Sequence, residues 1–311
     1  MRKIVAMAML CFLALSCAEK APKTADCGRH GLLCEDGWFV VKDITPENGV
    51  GKVYMISEHA AATCYLVTGT KAAMLIDTGI GVGDLAGLVR GLTDLPLIVV
   101  NTHGHPDHMG ANYQFAEAWV PEKDMDVYHA MDPFKEGTDL EAYVASNAKD
   151  FAYDTLAVKA NVAEVKAYEP CTLTLFNPGQ TWDLGDKLIS TIELGGHTPG
   201  SIMFLDETDD MLFSGDAMNG YLWMWLDTCL SIEEYEQNLA AAIPQFKCIS
   251  HVYGGHEFRE AGATVEQSET MLADVRSVLA GEVEPVVTPK PMGMEGTVNV
   301  YYFKTWLLWA K

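Results

Sequence analysis

Three imidazoles and a carboxylate crowd into six residues of this chain. His103, His105, Asp107 and His108 stand in the run Asn101-Thr-His-Gly-His-Pro-Asp-His-Met-Gly110. Neutral imidazole nitrogens and carboxylate oxygens are the ligands that zinc and neighbouring divalent cations take. Four side chains this close in sequence do not fit easily around one ion. The spacing H-x-H-x-D-H therefore predicts two adjacent metals, each completed by ligands from further along the chain. The candidates follow in order: His197 in Leu194-Gly-Gly-His-Thr-Pro-Gly-Ser201, Asp216 in Met211-Leu-Phe-Ser-Gly-Asp216, and His256 in Val252-Tyr-Gly-Gly-His-Glu257. Each ends an apolar run or opens a glycine-rich loop, where the backbone can turn to aim a side chain. His30, His59, His129 and His251 fit no such slot and read as surface or structural residues. His251 lies five residues before His256, but the pair Gly254-Gly255 favours His256 as the ligand.

The elements that must position these residues are legible from periodicity. Leu97 to Val100 reads as a short buried strand, and Pro106 is placed to open a helix, where its missing N–H costs nothing. The outer histidines then hang from a loop at a strand end, and Asp107 and His108 start the helix. Upstream, Val53 to Ser57, Cys64 to Val67 and Ala73 to Asp77 read as a strand meander. Asp77-Thr-Gly-Ile-Gly81 turns into a helix around Asp84 to Leu92. Residues 112 to 167 read as polar and helical, Asp139 to Tyr153 among them, and are expected over one side of the site. Leu173 to Phe176, Lys187 to Leu194, Ser201 to Leu205 and Met211 to Phe213 read as a second set of strands. Ser231 to Ile243, opened by a capping box at Ser231 and Glu234, and Thr264 to Leu279 read as amphipathic helices. Val298 to Trp309 reads as a closing strand or helix packed on the core. Tyr221, Trp223 and Trp225 alternate just after Asp216, and form either an aromatic wall of a substrate pocket or a strand edge packed into the core.

The ordered motifs H-x-H-x-D-H, G-H-T-P-G, G-D and a late G-H resemble the metallo-β-lactamase superfamily, over roughly residues 50 to 280. The resemblance implies an α/β fold, a four-layer αβ/βα sandwich with the metals at one edge of two facing sheets. It implies two zinc ions per chain, with iron or manganese as alternatives. His103, His105 and His197 would hold the first ion, and Asp107, His108 and His256 the second. Asp216 would bridge them, with a hydroxide on the other side. It also places Asp77 near the metals; as a residue alone, Asp77 reads equally as a turn or cap residue. The intact Gly215-Asp216 looks like the glyoxalase II and lactonase side of the superfamily, since class B β-lactamases generally lack that bridging aspartate. The C-terminal lysines Lys290, Lys304 and Lys311 show no cluster of the kind with which glyoxalase II grips glutathione. His105 stands where the flavodiiron branch has glutamate.

Composition narrows the partners. Asp plus Glu number 43 against 21 for Lys plus Arg, a net charge of −22. Such a surface repels polyanions, which counts against nucleic acid as a partner and leaves a small molecule as the expected substrate. Arg2, Lys3 and the apolar run Ile4 to Leu15 read as an export signal, too short to span a bilayer as an ordinary helix. Leu13-Ala-Leu-Ser-Cys17 resembles a bacterial lipoprotein signal with Cys17 as the lipidated residue; cleavage after Ala18 is the alternative. The organisation expected is a signal over 1–17, a tether over 18–35 and one domain over 36–311. The protein is then periplasmic or on the outer surface, and touches membrane only through the anchor. Cys27 and Cys34 are close enough for a small disulfide loop, while Cys64, Cys171, Cys229 and Cys248 read as buried thiols.

The function expected is hydrolysis of a small ester-type carbonyl, a thioester or lactone, with Asp107 orienting the nucleophile and passing its proton on. The alternatives are a β-lactam hydrolase, a mononuclear-iron sulfur dioxygenase and a metal-bearing binding protein without turnover; the complete ligand set argues against the last. The N-terminal reading has its own test. Mass spectrometry of the mature protein should find a lipid on Cys17, and Cys17→Ser should release the protein from membranes; an intact Met1 on the purified protein overturns export.

Overall fold

The computed structural model describes residues 39–58, 62–81, 83–131, 171–247, 249, 251–256, 265–291 and 294–311. The leader, Cys17, Cys27, Cys34, Cys248, His30, His59 and Asp139 to Tyr153 lie outside the described residues. Seven strands make the first sheet in chain order: β1 (Phe39–Asp43), β2 (Val53–Glu58), β3 (Ala62–Thr68), β4 (Ala73–Ile76), β5 (Leu97–Val100), β6 (Glu117–Pro121) and β7 (Thr172–Phe176). From β1 to β4 the pairing is antiparallel, and from β4 to β7 it is parallel. The second sheet contains β8 (Thr181–Asp183), β9 (Leu188–Glu193), β10 (Ile202–Asp206), β11 (Met211–Gly215) and β13 (His251–Gly254), in the order β13-β11-β10-β9-β8. A smaller sheet orders β12 (Tyr221–Met224), β16 (Leu307–Ala310), β15 (Thr297–Tyr302) and β14 (Val286–Pro289). The helices among the described residues are α1 (Leu85–Leu92), α2 (Pro106–Met109), α3 (Met125–Met131), α4 (Ile232–Phe246) and α5 (Val265–Leu279).

Side-chain alternation builds the layers. In β4, Met74 and Ile76 face the second sheet, while Ala73 and Leu75 face α1, where they meet Leu85, Leu88 and Val89. In β10, Ile202 and Phe204 face the first sheet, while Met203 and Leu205 face α4 and α5, where Tyr235, Leu239, Phe246 and Val275 lie. Both faces of β3, β4, β10 and β11 are therefore buried, which is why these strands read as continuous apolar runs rather than as an alternation. The result is an α/β sandwich: helix, sheet, sheet, helices. The third sheet closes onto the α4–α5 side through Leu222, Met224, Leu308 and Ala310. α4 begins as the sequence predicts, with Ser231 and Glu234 exchanging the two capping-box hydrogen bonds.

Three sequence expectations change. The polar, helical reading of 112 to 167 missed β6, whose apolar core is only Ala118 to Val120. Its strand character comes from parallel neighbours on both sides. Leu173 to Phe176 belongs to the first sheet, because β7 pairs with β6. The closing segment is two antiparallel strands, β15 and β16, joined to β14 and β12.

Phe204 sits fully buried between the sheets, its ring centroid 6.0 Å from that of Trp182 and 6.1 Å from that of Phe176. Phe204→Ala is expected to lose about 3–5 kcal/mol, the usual result of emptying a buried aromatic site. Denaturant unfolding measures it, and a loss below about 1 kcal/mol would contradict this packing.

Candidate metal centre

All the sequence candidates leave the sheets at one edge. β4 and β5 are parallel, so their carboxyl ends coincide; β9 and β11 both oppose β10, and β13 parallels β11. Carboxyl ends of parallel strands are where α/β sheets place their sites. Here the loop after β4 carries Asp77, that after β5 His103 to His108, that after β9 His197, that after β11 Asp216, and that after β13 His256. Backbone bonds stitch the two sheets together at this edge, Ile202 N to Thr102 O at 2.9 Å and Thr63 N to Gly255 O at 2.8 Å, while Gly255 N to Gly215 O at 2.8 Å ties the ends of β13 and β11 within the second sheet. The Tyr65 hydroxyl donates to Gly254 O at 2.6 Å. Gly255 must be glycine for a steric reason: a Cβ there would collide with Asp216 Oδ1 and lie 2.5 Å from His108 Cε1.

The tautomers follow from the partners. Thr102 Oγ1 gives its one proton to Asp77 Oδ2 at 2.8 Å, so it can only accept from His103 Nδ1, 2.9 Å away. His108 Nδ1 donates to Asp77 Oδ2 at 2.9 Å, and His197 Nδ1 to the Trp223 carbonyl at 2.7 Å. In its neutral form each of these three rings thus carries its proton on Nδ1 and leaves Nε2 as the lone pair. Fixing the ligand nitrogen by the bond of the other nitrogen is how metal histidines are oriented. Asp77 holds this role from a left-handed backbone, φ 64°, with Thr102 N donating to its Oδ1 at 2.7 Å. An aspartate tolerates that conformation.

Ligand atoms converge in three overlapping groups: His103 with His105 and His197; His103 with His108 and Asp216; Asp107 with His108 and His256. Within each group they lie no more than 4.8 Å apart. His105 Nδ1 and His197 Nε2 face each other at 2.8 Å. Asp216 reaches both sides: Oδ1 is 3.5 Å from His108 Nε2, and Oδ2 is 3.6 Å from His197 Nε2 and 3.0 Å from His256 Nε2. Asp107 Oδ2 lies 3.6 Å from His108 Nε2 and 3.5 Å from His256 Nε2. Nε2 of His103, His105 and His108, and Asp216 Oδ1, are buried with no hydrogen-bond partner among the described residues. An orphaned buried polar atom costs about 1–3 kcal/mol. The orphans of His103, His108 and Asp216 belong to one converging group and fit a cation, which His105 faces through Nδ1.

All seven sequence candidates are therefore brought together, and His251 is not among them. It is exposed on β13, its ring stacked on Tyr253. His129 is exposed on α3. Tyr221 is exposed, Trp223 is half-buried with its carbonyl on His197, and Trp225 is buried against Val298 and Val300. Cys64 is buried as expected, while Cys171 and Cys229 are only half-buried. Sequence reading missed Asp124, which lies beneath two of the ligand loops. No motif marks it, and its approach to residues 104 and 200 exists only in the folded chain.

Burial, reinforced by the neighbouring imidazoles, holds His103 and His105 well below the ordinary histidine pKa. Burial also opposes charge on His108 and His256, but Asp216 and Asp107, with Asp77 at His108, outweigh it and raise both. Burial would raise Asp216, yet His256 and His108 hold it well below the ordinary carboxylate value. A cation bound here would have to displace a proton from His108 and His256, whereas His103 and His105 are already uncharged. Metal affinity falls as pH falls through the raised histidine pKa values. Calorimetric zinc titration of stripped protein in buffers of different ionisation enthalpy should show proton release that grows towards lower pH. Release of none between about pH 6 and 8 contradicts this account.

A family model described as the metallo-beta-lactamase superfamily matches residues 60–246. That is more than half of the chain, and the protein belongs to this superfamily, whose members generally bind metal ions, commonly zinc. The chain is 32% identical over 178 residues to the acyl-coenzyme A thioesterase MBLAC2 of Bos taurus and to that of Homo sapiens, covering 53% of this chain and 61% of each relative. It is 28% identical over 156 residues to the hydroxyacylglutathione hydrolase GloC of Haemophilus influenzae, covering 48% of this chain and 62% of that one. The match thus spans about three-fifths of the length of these curated relatives. Among solved structures, a metallo-beta-lactamase from Pontibacter korlensis superposes with a TM-score of 0.50 at 15% identity, over 76% of this chain and 99% of that one. A metallo-beta-lactamase family protein from Thermus thermophilus does so with 0.50 at 18%, over 79% and 82%. At such identities the likeness is one of fold.

Proposed function

We propose that the protein is a dizinc hydrolase that cleaves a small thioester. The observation that carries this reading is the Asp216 carboxylate, which stands between His197 on one side and His108 and His256 on the other. Similarity to proteins named as a thioesterase and a hydroxyacylglutathione hydrolase supports the thioester. When bound, two such ions supply Lewis acidity to a carbonyl oxygen and bring the pKa of a water to about 7. The chain's own part is to hold the ions, to orient that water and to handle one proton. Asp107 suits the proton: its side chain is 35% exposed, so one face is open to substrate while Oδ2 faces His108 and His256. A thiolate, with a thiol pKa of about 8.5, leaves without the prior protonation that an amine needs. A single carboxylate that takes a proton and returns it is then enough.

Tyr221 and Trp223 are the proposed wall for the apolar acyl part, because β12 starts beside Asp216 and Trp223 is tied to His197. Trp225 would support that wall from the buried cluster with Val298 and Val300 rather than touch substrate. The net charge of −22 favours a thioester on a neutral arm over one carrying phosphates. Export with an anchor at Cys17 is proposed alongside.

The test is a panel on zinc-loaded protein: an acyl-coenzyme A, the same acyl group on N-acetylcysteamine, an acyl lactone, a chromogenic cephalosporin and a phosphodiester. The thioesters should turn over, and salt should lower KM for the coenzyme A ester more than for the neutral one. Trp223→Ala should raise KM by about 10-fold for a long acyl chain and much less for acetyl, as expected from lost apolar contact. Asp107→Asn should lower kcat by about 10²–10⁴. Cephalosporin turnover without thioesterase activity would replace the reading with a β-lactamase, and tightly bound iron in place of zinc with a dioxygenase.

A further inference from the structure

We propose that Asp124 is a positioning residue that sets the spacing of the two loops carrying His103, His105 and His197, and so tunes one metal position and not the other. The proposal rests on the metal reading above. Asp124 ends the turn Glu122–Asp124 that follows β6, and its side chain is fully buried. Its Oδ2 accepts from Gly104 N at 2.9 Å and from Thr198 Oγ1 at 2.7 Å, and its Oδ1 accepts from Gly200 N at 2.6 Å. Gly104 lies between His103 and His105, while Thr198 and Gly200 follow His197. One carboxylate therefore grips both loops within three residues of all three ligands. The two loops make their close ligand contact at His105 Nδ1 and His197 Nε2, 2.8 Å apart.

Sterics point the same way. A Cβ at Gly200 would lie 2.7 Å from both Asp124 N and Oδ1, and one at Gly104 would lie 3.0 Å from Tyr128 N in α3. The turn at Asp124 and the start of α3 are thus the block against which both loops are seated. Thr198 is further locked by Ser201, whose Oγ is 2.8 Å from Thr198 Oγ1 and accepts from Thr198 N at 3.2 Å. All three bonds to the Asp124 carboxylate come from these two loops, and none of the three from the segments of Asp107, His108 or His256. Those are held by Asp77, and by Gly255 with its neighbours. Two buried carboxylates thus divide the centre between them, Asp77 beneath His103 and His108 and Asp124 beneath the His103–His105 and His197 loops.

The test uses full-length protein and reads zinc affinity against a chromogenic chelator, with amide exchange at Gly104 and Gly200 in the metal-stripped form. Wild type should bind two ions. Asp124→Asn, which puts an NH2 group where one or two donors point, should weaken one ion by about 10–100-fold, the usual effect of removing a residue that supports a ligand. The second ion should change by less than about threefold, and exchange at Gly104 and Gly200 should accelerate together. Thr198→Val removes one of the three bonds and should act in the same direction to a lesser degree, so it decides the matter if the Asp124 variant does not fold. The double variant should be less than additive, because both act through one carboxylate. Equal weakening of both ions, or no weakening with unchanged exchange, overturns the positioning role and leaves the metal reading standing. Wild type that binds no zinc overturns both.

Discussion

Four imidazoles and an aspartate packed within contact of one another, nearly out of water, make an unfavourable arrangement unless something shares their lone pairs. The molecule is built around that constraint. Burial keeps His103 and His105 uncharged, and acceptors fixed in the framework claim the Nδ1 protons of His103, His108 and His197. The bare nitrogens are then left facing one another and Asp216. Orphaned polar atoms of this kind oppose folding of the metal-free chain, and the stability they forfeit is recovered when a cation binds.

Holding such a cluster demands a rigid frame, and the two-sheet sandwich supplies it. Five strands from two sheets end at the same edge, so every candidate ligand hangs from a short loop anchored at the end of a strand. The inter-sheet bonds at Thr102 and Thr63, with Ile202 and Gly255 as their partners, prevent the edges from sliding apart. Interiors packed at crystal-like density resist small displacements, and a ligand shift of even half an ångström matters to a metal site. The third sheet adds a wall on one side through Trp223, whose carbonyl orients His197 while its side chain joins Trp225 and Trp309.

The acidic surface and the cationic centre act at different ranges. Screening confines the repulsion of −22 charges to about 8–10 Å at ordinary ionic strength, so it selects what approaches. The chemistry is decided within a few ångströms by the donors themselves. The proposed substrate, a small and uncharged or weakly charged carbonyl compound, would satisfy both ranges, whereas a polyanion would meet resistance at the first.

The candidate ligands were legible in the chain because metal ligation demands particular atoms at short range, and short range is what spacing encodes: His103, His105, Asp107 and His108 stand out as a group. The buried strands β3, β4, β10 and β11 were equally legible, since burial on both faces leaves a largely apolar run. Sequence could offer His197, Asp216 and His256 only as candidates from glycine-rich strand ends, with the superfamily resemblance assigning their roles. Tertiary structure alone decided the rest. β6 was invisible because three apolar residues carry no period, and its neighbours in the sheet made it a strand. β7 joined the first sheet because β6 was there to receive it. Asp124 became important because folding carries two loops, 20 and 76 residues away along the chain, onto its oxygens. A carboxylate whose partners lie that far off leaves no local pattern, since hydrogen-bond geometry is set in space and not by spacing in the sequence.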